Sequence, residues 1–266
     1  MMRMIAAEFA KLKRARMPMW SALIVFAAAC LDLAVLPVLA DPKTQAQMAT
    51  AGGAFSQAIA AGMYRPSWAN YLHIGVQGMS GSWGVLAFGL VTAYVFGREY
   101  KEGAAKTMLT LPIRREYAVV AKLIVVAAWC VCLGLLSVLL NGVAIAALGV
   151  AGFTWSAVLT SIGETMSVVG LLYLTLPLIA WLAVRGRGYL QPMLFSLAVM
   201  MVGNALDQTP ASAYFPWNMP LDLVGASWYP IPAASVTPGS WAIAILVFAL
   251  GVAALFRQID LTDNVG

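Results

Sequence analysis

Six long apolar runs leave this chain few ways to fold. They fall at about 18–39, 76–96, 118–149, 157–184, 190–207 and 238–256. A helix that crosses the hydrocarbon layer at 1.5 Å per residue needs about 20 apolar residues. The runs are continuous rather than built from alternating segments of about ten residues, which excludes a barrel. Only 10% of the 266 residues are charged, and the mean hydropathy is +0.84, so a soluble domain is excluded as well. The sequence predicts one all-α integral membrane domain over 1–266, with six transmembrane helices and no soluble domain or internal repeat.

Charge orients those helices. Arg3, Lys11, Lys13, Arg14 and Arg16 precede the first run, and Arg98, Lys101, Lys106, Arg114, Arg115 and Lys122 lie between the second and third. Arg185 and Arg187 follow the fourth run and Arg257 follows the sixth, so only Lys43 and Arg65 fall on the opposite side. The positive-inside rule then places both termini in the cytoplasm. The net charge of +5 suits contact with anionic lipid headgroups and needs no nucleic acid to explain it. The first run, with Asp32 and Pro37 inside it and no small-residue cleavage site, reads as an uncleaved span rather than a signal peptide.

Before that span, residues 3–17 carry Ile5, Phe9 and Leu12 at helical spacing, with Glu8 and the basic residues around them. This predicts an amphipathic helix along the inner interface, an unstructured basic tail being the bland alternative. The first outer loop, about 40–74, contains an Ala- and Gln-rich stretch at 44–62 that suits a short helix interrupted at Gly52 and Gly53. Trp68, Tyr71 and Trp155 are expected at the outer headgroup layer. Gly75, Gly78, Gly81 and Gly84 open the second run and permit close helix packing, within the chain or against a second subunit. Residues 207–238 hold six of the 13 prolines among many aromatic residues. They predict short broken helices before the last span, dipping into the outer leaflet or capping the outer mouth. Cys130 and Cys132 are two residues apart, which turns them to different helix faces and favours neither a disulfide nor a metal site.

The segment Gly97–Lys122 holds nine of the 27 charged side chains and has an order of its own. Glu99 and Glu102 precede Gly103, Ala104 to Leu111 is a two-turn helix former, and Pro112 ends it. In this order the segment resembles the cytoplasmic segment of type 2 ABC-transporter permeases, whose pattern runs Glu-aromatic-x-x-Gly-Thr, a Leu pair, Pro, x-x-Arg, then Ala-Lys. Glu99, Tyr100, Gly103, Met108, Leu109, Pro112, Arg115, Ala121 and Lys122 supply the pattern, with Ala104 in place of the Thr and Met108 in place of a Leu. The motif covers only about 25 residues, and the rest of the resemblance is architectural.

The resemblance implies a coupling helix over Ala104–Leu111 that docks on a separate ATPase subunit, with Glu99, Gly103, Lys106, Met108, Leu109, Pro112 and Arg115 in the contact region. It also implies two copies of that ATPase, which carries the ATP and magnesium, and a second permease subunit, identical or related. The setting would be a bacterial inner membrane, with export of a drug or a peptide antibiotic as the activity. The chain itself has no GxxxxGK[ST] phosphate loop and would be no enzyme. A non-transporting scaffold or sensor that anchors an ATPase is the alternative.

Ionisable groups inside spans are functional candidates. Glu164, Asp32, Asn204 and Asn141 are the possible substrate path, with Asp207 and Gln77 nearby, and together they would favour cationic or amphipathic cargo. Each also reads as a residue near the headgroups or as a hydrogen-bonding group between helices. His73, the single histidine, is expected in the outer loop, without the partners that a metal or catalytic site needs.

Overall fold

A computed structural model of the chain describes residues 2–50, 65–101, 115–207, 209–225 and 236–263. The described residues are helical or in short connections. In order they form α1 (Met2–Arg14), α2 (Met17–Ala40), α3 (Pro42–Thr50), α4 (Trp68–Gly78), a π-helical turn (Met79–Trp83) and α5 (Gly84–Lys101). Then come α6 (Arg115–Ala147), α7 (Trp155–Arg185), α8 (Leu190–Leu206), a 3₁₀ turn (Ser212–Tyr214), α9 (Met219–Gly225) and α10 (Pro238–Asp263).

Five of these paths are long and apolar enough to cross a bilayer: Met17–Val38, Trp68–Glu99, Glu116–Ala147, Trp155–Arg185 and Pro238–Gln258. The expected span at 190–207 becomes α8, a shorter apolar helix of 17 residues. At 1.5 Å per residue it covers only about 26 Å. Asp207, which leaves the helical region with ψ 152°, ends it.

The second span also differs from its expected bounds of 76–96. It starts at Trp68, because the Ser67 side chain caps the helix by accepting from Asn70 N at 3.2 Å. Trp68, Tyr71 and His73 are therefore helical rather than in a loop. Trp68 Nε1 donates to Val150 O at 2.9 Å, and Tyr71 is buried among helices. Of the expected 44–62 helix, α3 accounts for the first part, with Asp41 capping Thr44 N at 3.0 Å, and 51–64 lie outside the described residues.

The bundle is built around α7, which packs on α4, α5, α6, α8, α9 and α10. The second span is 72% buried in the bundle, against 25% for the first and 22% for the last, so the second and fourth spans form the inner pair. Phe88, Leu133, Leu172, Leu176 and Ile179 fill the core between them. Tyr173 Oη donates to Leu123 O at 3.2 Å, and Trp129 Nε1 donates to Ser21 Oγ at 3.1 Å, which tie α7 to α6 and α6 to α2. Cys130 is buried and Cys132 exposed, as their two-residue spacing requires.

At the expected small-residue opening of the second span, Gly75 serves packing inside the chain. A Cβ there would lie 2.9 Å from Asn141 Cγ. The segment before α10 is broken into short elements as expected, with Trp217 and Met219 buried; residues 226–235 lie outside the described residues.

Candidate functional site

Glu99 stands at the last turn of α5, where the chain enters the charged segment. It is held by two ammonium groups, Lys122 Nζ at 2.7 Å and Lys11 Nζ at 3.2 Å. Lys11 also reaches Glu8 Oε1 at 2.6 Å, and Lys122 stands 3.6 Å from Glu8 Oε2. Two acids and two bases thus form an electroneutral quartet that joins α1, α5 and α6. The Lys122 side chain is only 6% exposed, whereas Lys11 is 42% exposed. A third donor on Lys122 is used by Val95 O at 3.2 Å, so this buried ammonium is satisfied on several sides. For Lys11 burial would lower the pKa, but the hydrogen bond and charge of Glu8, and then those of Glu99, outweigh it and hold the group raised.

The helices present these groups for simple reasons. The expected amphipathic helix over 3–17 is α1, and part of its apolar face meets protein: Leu12 is buried and Ile5 is packed against the main core, while Phe9 is exposed. That contact brings Glu8 and Lys11 onto α5 and α6. Arg98 Nη1 donates to Lys11 O at 3.3 Å, satisfying one of the carbonyls that a helix leaves orphaned at its C-terminus. On the opposite side of α5, Gly97 meets the 186–189 connection. A Cβ on Gly97 would sit 2.8 Å from both C and O of Gly188, so only glycine allows that backbone approach. Tyr94 stacks on Tyr189 with centroids 6.4 Å apart. The start of the charged segment is therefore gripped from three directions.

Of the predicted contact set, Glu99 lies in this junction and Arg115 opens α6. Gly103, Lys106, Met108, Leu109 and Pro112, with the expected helix Ala104–Leu111, lie outside the described residues. The sequence motif already contained Glu99 and Lys122. Glu8 and Lys11 were not legible as their partners. The available signal was a lone acid on a basic amphipathic helix.

The predicted path residues do not gather into one cluster. Asn204 is exposed on α8, Asp32 lies on α2, and Asn141 is buried on α6 with its Nδ2 3.4 Å from Ser137 Oγ. Glu164 on α7 instead meets His73 of α4, with Oε2 2.9 Å from Nδ1. Gln77, one turn further along α4, places its amide Nε2 3.3 Å from His73 Nε2. On sequence grounds His73 lies in the outer loop and has no second histidine to join it in a metal or catalytic site. Its helical placement, fixed by the Ser67 cap, turns it into the bundle. Among the described residues no group of three His, Cys, Asp or Glu side chains is arranged to hold a metal ion.

At the same end of the bundle as His73 and Glu164, Asp222 of α9 is buried with Ser212 Oγ at 3.2 and 2.9 Å from its two oxygens. Asn218 Nδ2 donates to Ser212 Oγ at 3.1 Å and to Gly203 O at 2.8 Å. Burial pushes the Asp222 carboxyl up to about 6, against the opposing hydrogen bond from Ser212 and with the charge of Asp207 adding to the rise.

Comparison with known proteins places these features. A relative, the bacitracin transport permease protein BCRB of Bacillus licheniformis, is 26% identical over 179 residues, 67% of this chain and 86% of the relative. No solved structure matches the chain. The family model described as ABC-2 family transporter protein matches residues 4–203. That match spans the quartet, both inner spans and the His73–Glu164 contact, and the chain belongs to the ABC-2 family of transporter proteins.

Proposed function

We propose that this chain is the transmembrane subunit of an ATP-driven exporter whose cargo is an amphipathic peptide antibiotic or a similar compound. A separate ATPase would dock on Ala104–Leu111, with Gly103, Lys106, Met108, Leu109, Pro112 and Arg115 around the contact. The basic end of the bundle would face the cytoplasm with both termini. The short α8 would complete a six-span subunit that pairs with a second permease, and two ATPase copies would carry ATP and magnesium.

The observation that carries this reading is the Glu8–Lys11–Glu99–Lys122 quartet. A solvated topogenic loop needs no buried ion cluster at its root. A segment that is pushed and pulled by a motor does, because displacement of residues 102–114 must move whole spans rather than merely bend the loop. Glu99 and Lys122 join the two helices that flank this segment, and Glu8 and Lys11 tie both to α1. The cargo class is assigned by analogy with the relative, whose name is that of a bacitracin transport permease protein.

The test is ATP-driven peptide uptake into inside-out vesicles that contain this chain and its ATPase. Gly103→Asp and Leu109→Asp should insert normally and retain ATP hydrolysis while losing transport. Normal coupled transport in both variants would overturn the docking assignment. Hydrolysis that responds to no peptide in the wild-type complex would favour the scaffold reading.

A further inference from the structure

The chain reverses between α7 and α8 through residues 186–189, which meet α5 at Gly97. Gly188 N donates to Ala183 O and Arg187 N to Val184 O, both at 3.2 Å. These are the paired bonds of a Schellman closure at the end of α7. Its last turn needs a left-handed residue, and glycine is the usual choice because a Cβ crowds the following carbonyl there. Here that residue is Arg187, at φ 48°, although glycines stand on both sides of it. Long side chains held in this strained region cluster at functional positions.

The surroundings indicate what the side chain meets. Arg185 and Arg187 are both exposed, and among the described residues neither guanidinium is paired with a carboxylate. Arg185 lies over the Trp181 ring, 5.2 Å from its centroid, which sets a cation beside an aromatic group of the kind found at a headgroup layer. Three residues after Arg187, α8 begins an outward apolar stripe. Leu190, Leu194, Leu197 and Met201 are all exposed, and their spacing of three and four residues puts them on one face. From Leu190 to Met201 the stripe runs about 17 Å. One leaflet supplies about half of a hydrocarbon core of about 30 Å, so the stripe matches the depth of a single leaflet.

We infer that Arg185 and Arg187 bind the phosphate of an anionic phospholipid whose acyl chain lies along Leu190, Leu194 and Leu197. Guanidinium groups present planar forks of donors that suit phosphate oxygens, and the apolar stripe starts beside them. A soluble anion would use the arginines and leave the stripe idle. An acidic protein surface would likewise have no use for an apolar face that continues along the length of α8. Two unpaired positive charges favour an anionic headgroup over a zwitterionic one. Glycine at 187 would relieve the backbone strain but lose a phosphate contact. The site rests on the chain's place in a bilayer and not on the export reading.

The experiment is titration of the full-length permease, purified in detergent, with phosphatidylglycerol, the rise in thermal midpoint giving an apparent affinity. Before lipid is added, Arg187→Gly should be about as stable as wild type, because glycine suits the left-handed position. It should bind phosphatidylglycerol about tenfold more weakly, the scale of one charged hydrogen bond. Arg185→Gln should lose affinity similarly, and Arg187→Lys should keep part of it. Phosphatidylcholine should not distinguish these proteins, and inorganic phosphate at equal concentration should give no comparable shift. Arg257→Gln, at an exposed arginine near the end of α10, should bind phosphatidylglycerol like wild type. Equal phosphatidylglycerol affinity of wild type and Arg187→Gly overturns the site. An equal loss in Arg257→Gln overturns it too, since that indicates a diffuse positive field. A full effect of phosphate alone leaves the stripe without a role and overturns the lipid assignment. If Arg187→Gly keeps the lipid but no longer co-purifies with the ATPase, the patch is a protein contact and the lipid assignment fails.

Discussion

At the basic end Glu8 and Glu99 each face two ammonium groups, whereas at the opposite end Glu164 faces the His73 ring and Asp222 a hydroxyl. The first arrangement closes on itself electrically. It has no charge left for a ligand, and its strength goes into fixing three helices together. The second has no Lys or Arg paired with its acids among the described residues, and its Asp222 is held by a hydroxyl. In the export proposed above, the first region would be the stiff junction where force enters.

The contrast can be broken by removing single partners. Lys122→Met should have the largest effect, since it leaves two acids in a protein environment with Lys11 as the remaining base. A loss of about 3–5 kcal/mol is expected for breaking a buried pair, read as a lower thermal midpoint of the purified permease. Next comes Gly97→Val, which forces a side chain into the Gly188 backbone. Overpacking of that kind costs about 1–3 kcal/mol, and Tyr94 fluorescence should report the opening of its stack on Tyr189.

Asp222 sharpens the comparison through pH. Its folded pKa lies near 6, above the ordinary 3.8, so between those values the folded state holds more protons than the unfolded one. Stability must then fall as pH rises through this window and level off above it. Asp222→Asn should flatten the slope, measured as the thermal midpoint at pH 4.5 against pH 7. The smallest effect belongs to Lys11→Met, at about 0–1 kcal/mol, because Lys11 is substantially exposed. A Lys11 effect equal to that of Lys122 would mean that burial is not what separates the two lysines.

Much of the fold was legible because a bilayer imposes its length on each apolar run. The boundaries that shifted were decided by local chemistry. Ser67 starts a helix within what reads as an outer loop, whereas α8 keeps its expected bounds to within one residue. The site was legible in proportion to its locality. Glu99 and Lys122 belong to one contiguous pattern, so sequence order revealed them. Lys11 meets Glu99 across 88 residues, and His73 meets Glu164 across 91. Such pairs depend on which faces α1, α4 and α7 turn inward, and a uniformly apolar helix hides that. His73 is the sharper case, since a loop histidine and a buried helical one look alike until the cap at Ser67 is recognised.

The central claim is that the quartet transmits motor movement to the spans. Its most direct measurement is the number of peptides moved per ATP hydrolysed in inside-out vesicles, wild type against Glu99→Gln, with ATPase binding checked by co-purification. The account predicts a several-fold fall in that ratio while insertion and ATPase association persist. An unchanged ratio in a correctly assembled Glu99→Gln complex would contradict it.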